Sequence, residues 1–410
     1  MKITLYPRMR SVFLTAAVLL SVPGLHAEVY KQQVTISNEW NIDKTDEPFV
    51  ISLKDIPAPF PIRSAILFDG STEIPCQLDD LDRDGQADEL VFVADLPALS
   101  SRVLHLTFSS QEEKRIYPSR VFAEMLLRAD KGEHQIIHSL SIPGHSSVYN
   151  LLHHHGPAFE SELVAYRIYF DKKQTVDIYG KFNKGLEIEE SQFYPTNEQL
   201  ARGFGDDVLR VSGSCGLGTL KGWNGEKALH IEPVESRTES VLATGPVRTV
   251  VDVDVNGWQY QESLLSMKIR YILYAGHRDC QVQVQFDRPL GKEVFSSGVM
   301  NIQGSTSFSD QKGLIACWGT DWPVNDTLTY AKETVGLAVC IPPQIVKEEV
   351  HDKVNYLYTL AAEGRSSFTY YITFTSRKET FGYADEKEWF AYVQQWKNEL
   401  QQPARLLIKK

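Results

Sequence analysis

Apolar and polar residues alternate with a period of two along most of the chain. The runs that follow this pattern are short, rich in β-branched and aromatic residues, and bounded by Gly, Pro, Asn and Asp. Examples are ELVFVADL (Glu89–Leu96), LVAYRIYF (163–170), CQVQVQFD (280–287) and FTYYITFT (368–375). Because no long helical patterns separate these runs, as βαβ units would require, we predict a mostly β protein with antiparallel sheets packed as sandwiches.

One clear helix is predicted near the end of the chain. Asp385 can cap it, with Glu388 three residues later. The apolar residues of one helical face are Trp389, Tyr392, Val393, Trp396 and Leu400. This aromatic face indicates a helix that packs on a sheet, in preference to a ligand site.

The pattern divides the chain into three segments. Residues 1–27 are typical of an export signal, with a basic start, an apolar run and the sequence GLHA ending at Ala27. Residues 28–114 are predicted to form a small N-terminal β-sandwich. After a polar stretch, residues 115–410 are predicted to form a large antiparallel β-supersandwich that ends in the closing helix. The signal predicts a periplasmic or extracellular protein.

Composition excludes some classes of partner. The 410 residues carry a formal net charge of -11 and no basic stripe, which argues against nucleic acid. After the signal, no stretch approaches the roughly 20 apolar residues of a membrane-spanning helix. The five cysteines lack CxxC spacing, so neither a zinc site nor a dense disulfide scaffold is indicated. No motif indicates an organic cofactor.

An acidic loop, DDLDRDGQADEL, is the strongest candidate for a metal site. Its spacing is D-x-D-x-D-G-x-x-D, in which alternate carboxylates point to one centre and glycine permits the turn. It is similar to the calcium hairpins of integrin-type propeller domains, and we predict a structural calcium ion. The predicted ligands are Asp80, Asp82, Asp84, the Gln86 carbonyl and Asp88. The alternative is an exposed turn with solvated charges.

A histidine-rich segment is the main candidate for chemistry. If His153 to His155 are extended, His153 and His155 share one face about 7 Å apart while His154 points away, so the three cannot bind one metal. Imidazole next to a strand with phenol, guanidinium and carboxyl groups suits proton transfer at a sugar ring. The candidate catalytic residues are His154, His155, Glu160, Tyr166, Arg167 and Asp207. The alternative is a surface loop beside an ordinary sheet.

A glycine-rich stretch after residue 194 supplies candidate substrate contacts. Aromatic rings stack on the apolar side of a pyranose, and charged groups bind its hydroxyls or carboxylate. The candidates are Arg202, Asp206, Lys221 and Trp223. The alternative role of the glycines is loop and bulge geometry.

Three segments together resemble a known family. QLDDLDRDGQADELVF, HHHGPAFESELVAYRIYF and RGFGDDVLRVSGSCGLGTLKGW are similar to an uncharacterised secreted family of Bacteroidetes, domain of unknown function 4861, over essentially the whole mature chain. The resemblance implies a polysaccharide-utilisation setting with pectin or other uronate glycans, and it lends no established catalytic residues. The second unit also resembles the supersandwich of galactose mutarotases and polysaccharide lyases, which does not fix a reaction.

Three functions follow from these residues, and we place the first ahead. In a uronate lyase, Arg167 or Lys221 offsets the substrate carboxylate and Tyr166 or His155 removes the α-proton. In a mutarotase, an epimerase or a glycoside hydrolase, a histidine acts with Glu160 or Asp207, or two carboxyl groups act together. In a non-catalytic protein, Trp223 and neighbouring aromatic residues bind a glycan.

Overall fold

The computed structural model describes residues 27–128 and 134–409. The predicted signal segment, residues 1–27, lies outside these ranges apart from Ala27. Every strand pair of the described sheets is antiparallel, which confirms the mostly β prediction. Within the described ranges, no helix combines the length and apolar character that crossing a membrane needs.

The strands and helices succeed one another in three groups. The first group is β1 (Val29–Asn38), β2 (Lys44–Ser52), a 3-10 helix (Leu53–Asp55), β3 (Ser64–Asp69), β4 (Thr72–Ile74), β5 (Cys76–Asp79), β6 (Glu89–Leu96) and β7 (Ser100–Ser109). The second is β8 (Val121–Glu124), β9 (Leu126–Arg128), β10 (His134–Ile136), β11 (Ser139–Pro143), β12 (Ala158–Ser161), β13 (Ala165–Ile168), β14 (Val176–Gly180), α1 (Ile188–Ser191), α2 (Asn197–Ala201), β15 (Asp206–Asp207), β16 (Lys221–Trp223) and β17 (Ala228–Leu229). The third is β18 (Ser236–Thr244), β19 (Arg248–Tyr260), β20 (Ser263–Tyr274), β21 (Cys280–Phe286), β22 (Val294–Met300), β23 (Thr306–Ser309), β24 (Leu314–Asp321), β25 (Glu333–Cys340), β26 (Val346–His351), β27 (Asn355–Ala361), β28 (Ser367–Ser376), α3 (Glu386–Leu400) and β29 (Arg405–Ile408).

The first group and β29 form a small sandwich of two sheets, the first unit, ordered β29-β1-β7-β3-β4 and β2-β6-β5; the other strands and helices form the second unit. Alternate residues of each strand face inward and form an apolar core. Its fully buried members include Val34, Leu90, Phe92, Leu104 and Phe108. The last strand, β29, pairs with β1 over four residues. The chain therefore returns to the first sheet after α3. Its last strand packs with the first unit, whereas the sequence placed all of residues 115–410 in the second.

The second unit has two layers with one large core between them. One layer is a nine-stranded sheet, β11-β18-β19-β20-β21-β28-β25-β24-β23. The other consists of two five-stranded sheets, β15-β14-β13-β12-β8 and β17-β16-β22-β27-β26, joined where Gly216 bridges Val176 and Leu217 bridges Val299. Apolar side chains from all three sheets meet in this core, which includes Trp258, Tyr271 and Phe295.

Strands β12 and β13 form a hairpin where the sequence suggested a single strand. The register pairs Ala158 with Arg167 and Glu160 with Ala165. The turn closes because Ser161 N–H donates to the Val164 carbonyl at 3.0 Å and the Ser161 hydroxyl accepts from Leu163 N–H at 3.1 Å. Glu160 and Arg167 therefore lie on neighbouring strands.

Helix α3 packs on the outer face of the nine-stranded sheet, as predicted. The Asp385 carboxylate accepts hydrogen bonds from the backbone N–H groups of Lys387 and Glu388 at 2.9 and 3.0 Å, so it caps the helix. Trp389 is fully buried, and a Cβ on Gly336 of β25 would lie 2.7 Å from its ring. Glycine at this position thus permits the close approach of the tryptophan.

The first unit covers the other part of that outer face. A buried ion pair joins the two surfaces. The Arg248 guanidinium is 1% exposed and donates to Asp79 at 2.7 Å and to Glu89 at 2.5 Å. The Gln77 amide completes the contact, because its oxygen accepts from the N–H of Val247 and of Arg248. These residues join β5 and β6 of the first unit to the start of β19.

We predict that Arg248→Met lowers the free energy of unfolding by about 3 to 5 kcal/mol, because it leaves the buried Asp79 carboxylate without its cation. Urea unfolding measures the change. Arg405→Met is the control, since its ion pair with Glu39 is largely exposed and contributes less than about 1 kcal/mol. Equal losses in the two variants would contradict this account of the contact.

Candidate active site

The candidate site lies on the outer face of the sheet β15-β14-β13-β12-β8. Along β13, Tyr166 and Ile168 point into the core, so Arg167 points outward. Asp177 on β14 is directly opposite Arg167 in the register. Phe193, which follows α1, packs over this outer face, with its ring centre 4.4 Å from the Arg167 guanidinium carbon.

Arg167 holds two carboxyl groups at once. Its Nη2 donates to Asp177 at 2.6 Å and to Asp207 at 2.8 Å, and its Nε donates to Asp177 at 3.0 Å. The Tyr169 hydroxyl accepts from Nη2 and donates to Asp177, and the Tyr194 hydroxyl accepts from Nη1 at 2.8 Å. One cation therefore organises two carboxyl groups and two phenols.

The three histidines form a turn, so the extended arrangement considered from the sequence is wrong. Leu151 and Leu152 N–H both donate to the Val148 carbonyl, and His155 has a φ of +65°. The turn is anchored on β9, where His153 N–H donates to the Leu126 carbonyl at 2.9 Å. The His153 ring consequently lies against His134, with ring centres 4.0 Å apart and planes tilted by 33°, whereas His155 lies against Tyr149.

His155 belongs to a stack of aromatic rings next to Arg167. Its ring lies 3.7 Å from Tyr149 with an interplanar angle of 6°, and 6.0 Å from Tyr169. Its Nδ1 is 2.7 Å from the Tyr149 carbonyl oxygen. A carbonyl oxygen only accepts, so Nδ1 carries the hydrogen and Nε2 keeps its lone pair. Tyr149 and Tyr194 are 42% and 40% exposed, which leaves aromatic surface on both sides of the cluster.

His154 is fully buried beneath this stack. Its Nε2 lies 2.8 Å from a Glu124 carboxyl oxygen on β8. Burial lowers the pKa of His154 to about 3 and raises the pKa of Glu124 to about 8. At neutral pH both groups are uncharged, so the Glu124 hydroxyl donates to the imidazole and fixes the turn from below.

The pKa values of the titratable groups in this cluster distinguish a proton donor from proton acceptors. Burial, and then the charge of Asp177, raise the pKa of the Asp207 carboxyl to about 8. Burial lowers the pKa of His155, and it lowers the pKa of His153 to about 3. At neutral pH, Asp207 is therefore protonated while these half-buried imidazoles are neutral, which is the state required of a general acid and a general base.

Two of the predicted catalytic residues do not join this cluster. Glu160 is fully buried, is ion-paired with Lys181, and accepts from the N–H groups of Glu187 and Ile188 at the start of α1. Tyr166 is fully buried in the core, where its hydroxyl donates to the Arg278 carbonyl at 2.6 Å. The structure gives both residues architectural roles: the pleat turns Tyr166 into the core, and Glu160, although it shares the outward face of Arg167, is held by Lys181 and the start of α1.

The predicted substrate contacts are also dispersed. Lys221 is buried on β16, where its ammonium group donates to the Lys173 carbonyl, and burial lowers its pKa to about 8. Trp223, two residues on, is buried against Cys215 and Leu357 and offers no open ring face. Arg202 is exposed and pairs with Glu190, and the half-buried Asp206 accepts from Asp207 N–H without bonding Arg167.

The structure adds residues that the sequence did not single out. The alternation of side chains along a strand could have indicated Asp177 and Tyr169, since both share the outward face of Arg167. Tyr149, Tyr194 and His134 had none, because loops and a separate hairpin bring them to the cluster.

The acidic loop is the tip of the β5–β6 hairpin, as predicted. The carboxyl oxygens of Asp80, Asp82 and Asp88 lie within 4.8 Å of one another, and no other described group of three or more carboxylate, imidazole or thiol ligands meets that criterion. The Asp84 carboxylate instead accepts from Gln86 N–H at 2.8 Å. The loop also contacts the second unit, because the Arg83 guanidinium donates to the His138 and Val241 carbonyls.

The chain belongs to the family described as "Domain of unknown function (DUF4861)", which matches residues 36–406. A glycosyl hydrolase family 38 protein from Enterococcus faecalis is similar in structure, with a TM-score of 0.48 and 10% identity over 93% of this chain and 47% of that one. An alpha-mannosidase from Enterococcus faecalis V583 gives a TM-score of 0.46 and 11% identity, over 93% and 46%. The chain spans about half the length of these structures. No curated protein matches the chain.

We predict that Glu124→Gln becomes more stable relative to the wild type as the pH rises from about 5 to about 8. Between these values, Glu124 is ionised in the unfolded chain and protonated in the fold, so the wild type loses up to about 1.4 kcal/mol per pH unit from this group. Glutamine keeps a donor for His154 and does not titrate.

Urea unfolding at several pH values measures the difference. Glu348→Gln, at an exposed glutamate on β26, is the matched control and is expected to show no such trend. A constant difference between Glu124→Gln and the wild type across this pH range would contradict the buried, protonated state of Glu124.

Proposed function

We propose that this protein binds a carbohydrate at the cluster around Arg167 and catalyses acid–base chemistry at the sugar ring. The observation that carries the proposal is that Arg167 holds the Asp207 carboxyl at 2.8 Å and lies beside Tyr169, whose ring centre is 6.0 Å from that of His155. The partly exposed rings of Tyr149 and Tyr194 supply the surface on which the apolar side of a pyranose stacks.

The cluster fits a mutarotase-like or epimerase-like reaction best. The Asp207 hydroxyl donates its proton to the ring oxygen as the bond from that oxygen to C1 breaks. The lone pair on His155 Nε2 takes the proton of the C1 hydroxyl, and the carbonyl forms. Ring closure on the other face of C1 reverses both transfers and restores the two groups.

Asp177 is not suited to a second catalytic role. Its side chain is fully buried, and its oxygens already accept from Arg167, Tyr169 and the backbone N–H of Ile178. Glycoside hydrolysis needs a second carboxylate that can reach the substrate or a water molecule. The Asp177–Asp207 pair therefore favours the ring-opening reaction over hydrolysis.

A uronate lyase is the second candidate, and Lys173 is the observation that favours it. Arg167 is already paired with the Asp177 carboxylate and Lys221 is buried, so neither supplies a free cation for a substrate carboxylate. The Lys173 ammonium lies 5.4 Å from the centre of the Tyr169 ring and is partly exposed, and its contact with Asp171 is long, at 3.7 Å. It can pair with a uronate while His155 removes the α-proton.

One assay tests both reactions. Proton NMR of freshly dissolved α-anomers of galactose and galacturonic acid reports anomer exchange, and the same spectra of pectin oligosaccharides report unsaturated uronate products. We expect accelerated anomer exchange that Asp207→Asn reduces about 100-fold or more. Asp326→Asn, at an exposed aspartate, is the control.

The outcomes are distinguishable. Unsaturated products that disappear in Lys173→Gln would establish the lyase in place of the ring-opening reaction. Neither product, or equal rates in Asp207→Asn and Asp326→Asn, would contradict acid–base catalysis at this cluster.

Export to the periplasm or the extracellular space remains part of the proposal, supported by the basic and apolar start of the sequence. N-terminal sequencing of the exported protein checks it, because cleavage after Ala27 gives a chain that begins at Glu28.

We further propose that the β5–β6 loop binds a structural calcium ion through Asp80, Asp82 and Asp88, with Asp84 and the Gln86 carbonyl completing the set. Oxygen ligands in this number suit calcium, and the carboxylates repel one another without a cation. The ion would hold the loop that carries Arg83 against the second unit.

We predict that calcium raises the midpoint of thermal unfolding by about 5 °C relative to a chelator. Asp82→Asn removes one ligand from an exposed position and reduces the increase. Asp55→Asn, at an exposed aspartate of the same unit, keeps it. An unfolding midpoint that does not respond to calcium in the wild type would rule out the metal site.

A further inference from the structure

A cavity of about 710 Å³ lies between the two units, away from the cluster around Arg167. Its floor is the outer face of the nine-stranded sheet, and its walls are strand β2 and helix α3. Lys44 ties these walls together, because its ammonium donates to the Glu399 carbonyl at 3.3 Å. Small-molecule sites have volumes of about 300 to 1,000 Å³ and occur preferentially at domain interfaces. The cavity therefore has the size and position of a ligand site.

The three arginines that line the cavity are already paired with carboxylates, and Lys184, which also lines it, lies 5.5 Å from the centre of the Phe381 ring. Arg270 donates two hydrogen bonds to Asp252, both at 2.8 Å. Arg278 donates to Glu379 at 3.1 Å, and Arg248 is paired with two carboxylates of the first unit. An anion entering the cavity would have to compete with these partners. The walls therefore favour a neutral ligand over a uronate or a phosphate.

Neutral polar groups on the floor and rim are free to bind such a ligand. Within the described chain, the side-chain amide of Gln283 and the hydroxyl of Tyr383 have no hydrogen-bond partner. Gln281 uses only its nitrogen, which donates to the Tyr371 hydroxyl at 3.2 Å, so its oxygen remains an acceptor. These groups supply both donors and acceptors in one cavity.

Aromatic rings line the same space. Tyr383 stacks on Tyr392 of α3 with ring centres 4.8 Å apart, and the Arg278 guanidinium lies 5.5 Å from the Tyr383 ring. Trp396, one helical turn further along α3, also lines the cavity. Rings beside unpaired amide and hydroxyl groups match a molecule with an apolar face and several hydroxyls.

We infer that this cavity is a second binding site, for a neutral saccharide. It is separate from the site of the proposed function, because neither Arg167 nor any of the residues that contact it there lines the cavity. Gln283 and the Gln281 oxygen bind ligand hydroxyls, and Tyr383 supplies both a ring face and a hydroxyl.

Saturation-transfer NMR tests the inference, with methyl β-D-galactoside, methyl β-D-glucoside and lactose as probes. We expect at least one probe to bind the wild type, and Gln283→Met to weaken that binding about tenfold through the loss of the amide. Gln285→Met is the matched control, since Gln285 is the next outward residue of β21 and lies outside the cavity. It is expected to leave the affinity unchanged.

Two results would overturn the inference: no binding of any probe to the wild type, or equal affinity in Gln283→Met and the wild type. If Gln283→Met does not fold, Tyr383→Phe replaces it with the same expectation. Asp207→Asn separates the two sites. Binding that survives in Asp207→Asn and weakens in Gln283→Met belongs to the cavity even if the first site is inactive, whereas the reverse pattern assigns the probe to the first site and contradicts the second.

Discussion

Neighbouring side chains of a β-strand point to opposite faces of its sheet, and in strand β13 this rule separates the core from the site. Tyr166 and Ile168 fill the space between the layers, while Arg167 between them faces outward. A shift of one residue in the register would place a guanidinium in the core and a phenol in the site. The rest of the cluster depends on this placement, because Arg167 orients Asp177, Asp207, Tyr169 and Tyr194.

Buried charge explains why the cluster has its chemical character. A guanidinium removed from water needs a carboxylate partner, and Asp177 provides one across the register. A second carboxyl at the same guanidinium then lies beside an anion as well as a cation, in a place where little water reaches. Asp207 therefore keeps its proton near neutral pH. Asp207 is the reactive acid because two carboxyl groups share one guanidinium, which can balance the charge of only one of them.

The two candidate sites form on different layers of the second unit. The first unit and helix α3 cover the outer face of the nine-stranded sheet, where they enclose the cavity lined by Gln283 and Tyr383. Short helices and loops cover the outer face of the opposite layer, and the candidate active site forms there. Arg248 and the acidic loop hold the first unit in position, so they support the cavity without contacting the cluster.

Local patterns in the sequence predicted the elements but not all of their partners. ELVFVADL marks strand β6 to the residue, and Asp385 caps α3, because alternation and capping depend on neighbours in sequence. The pairing of β29 with β1 joins residues at opposite ends of the chain and has no local signal.

The same limit applies to the site. His155, Arg167 and Asp207 were identified from their residue types, and the structure brings them into one cluster. Glu160 and Trp223 have equally suitable side chains, yet burial assigns them to architecture. Residue type therefore indicates chemistry only where the fold leaves the group accessible.

The most direct test of the central claim is a carbon-detected NMR titration of the Asp207 carboxyl, assigned by the signal that Asp207→Asn removes. We predict a midpoint at about pH 8, and a change in that midpoint when a saccharide that binds the cluster is added. A midpoint near the ordinary aspartate value of about 3.9, unchanged by saccharide, would contradict a protonated Asp207 and with it the proposed acid–base site.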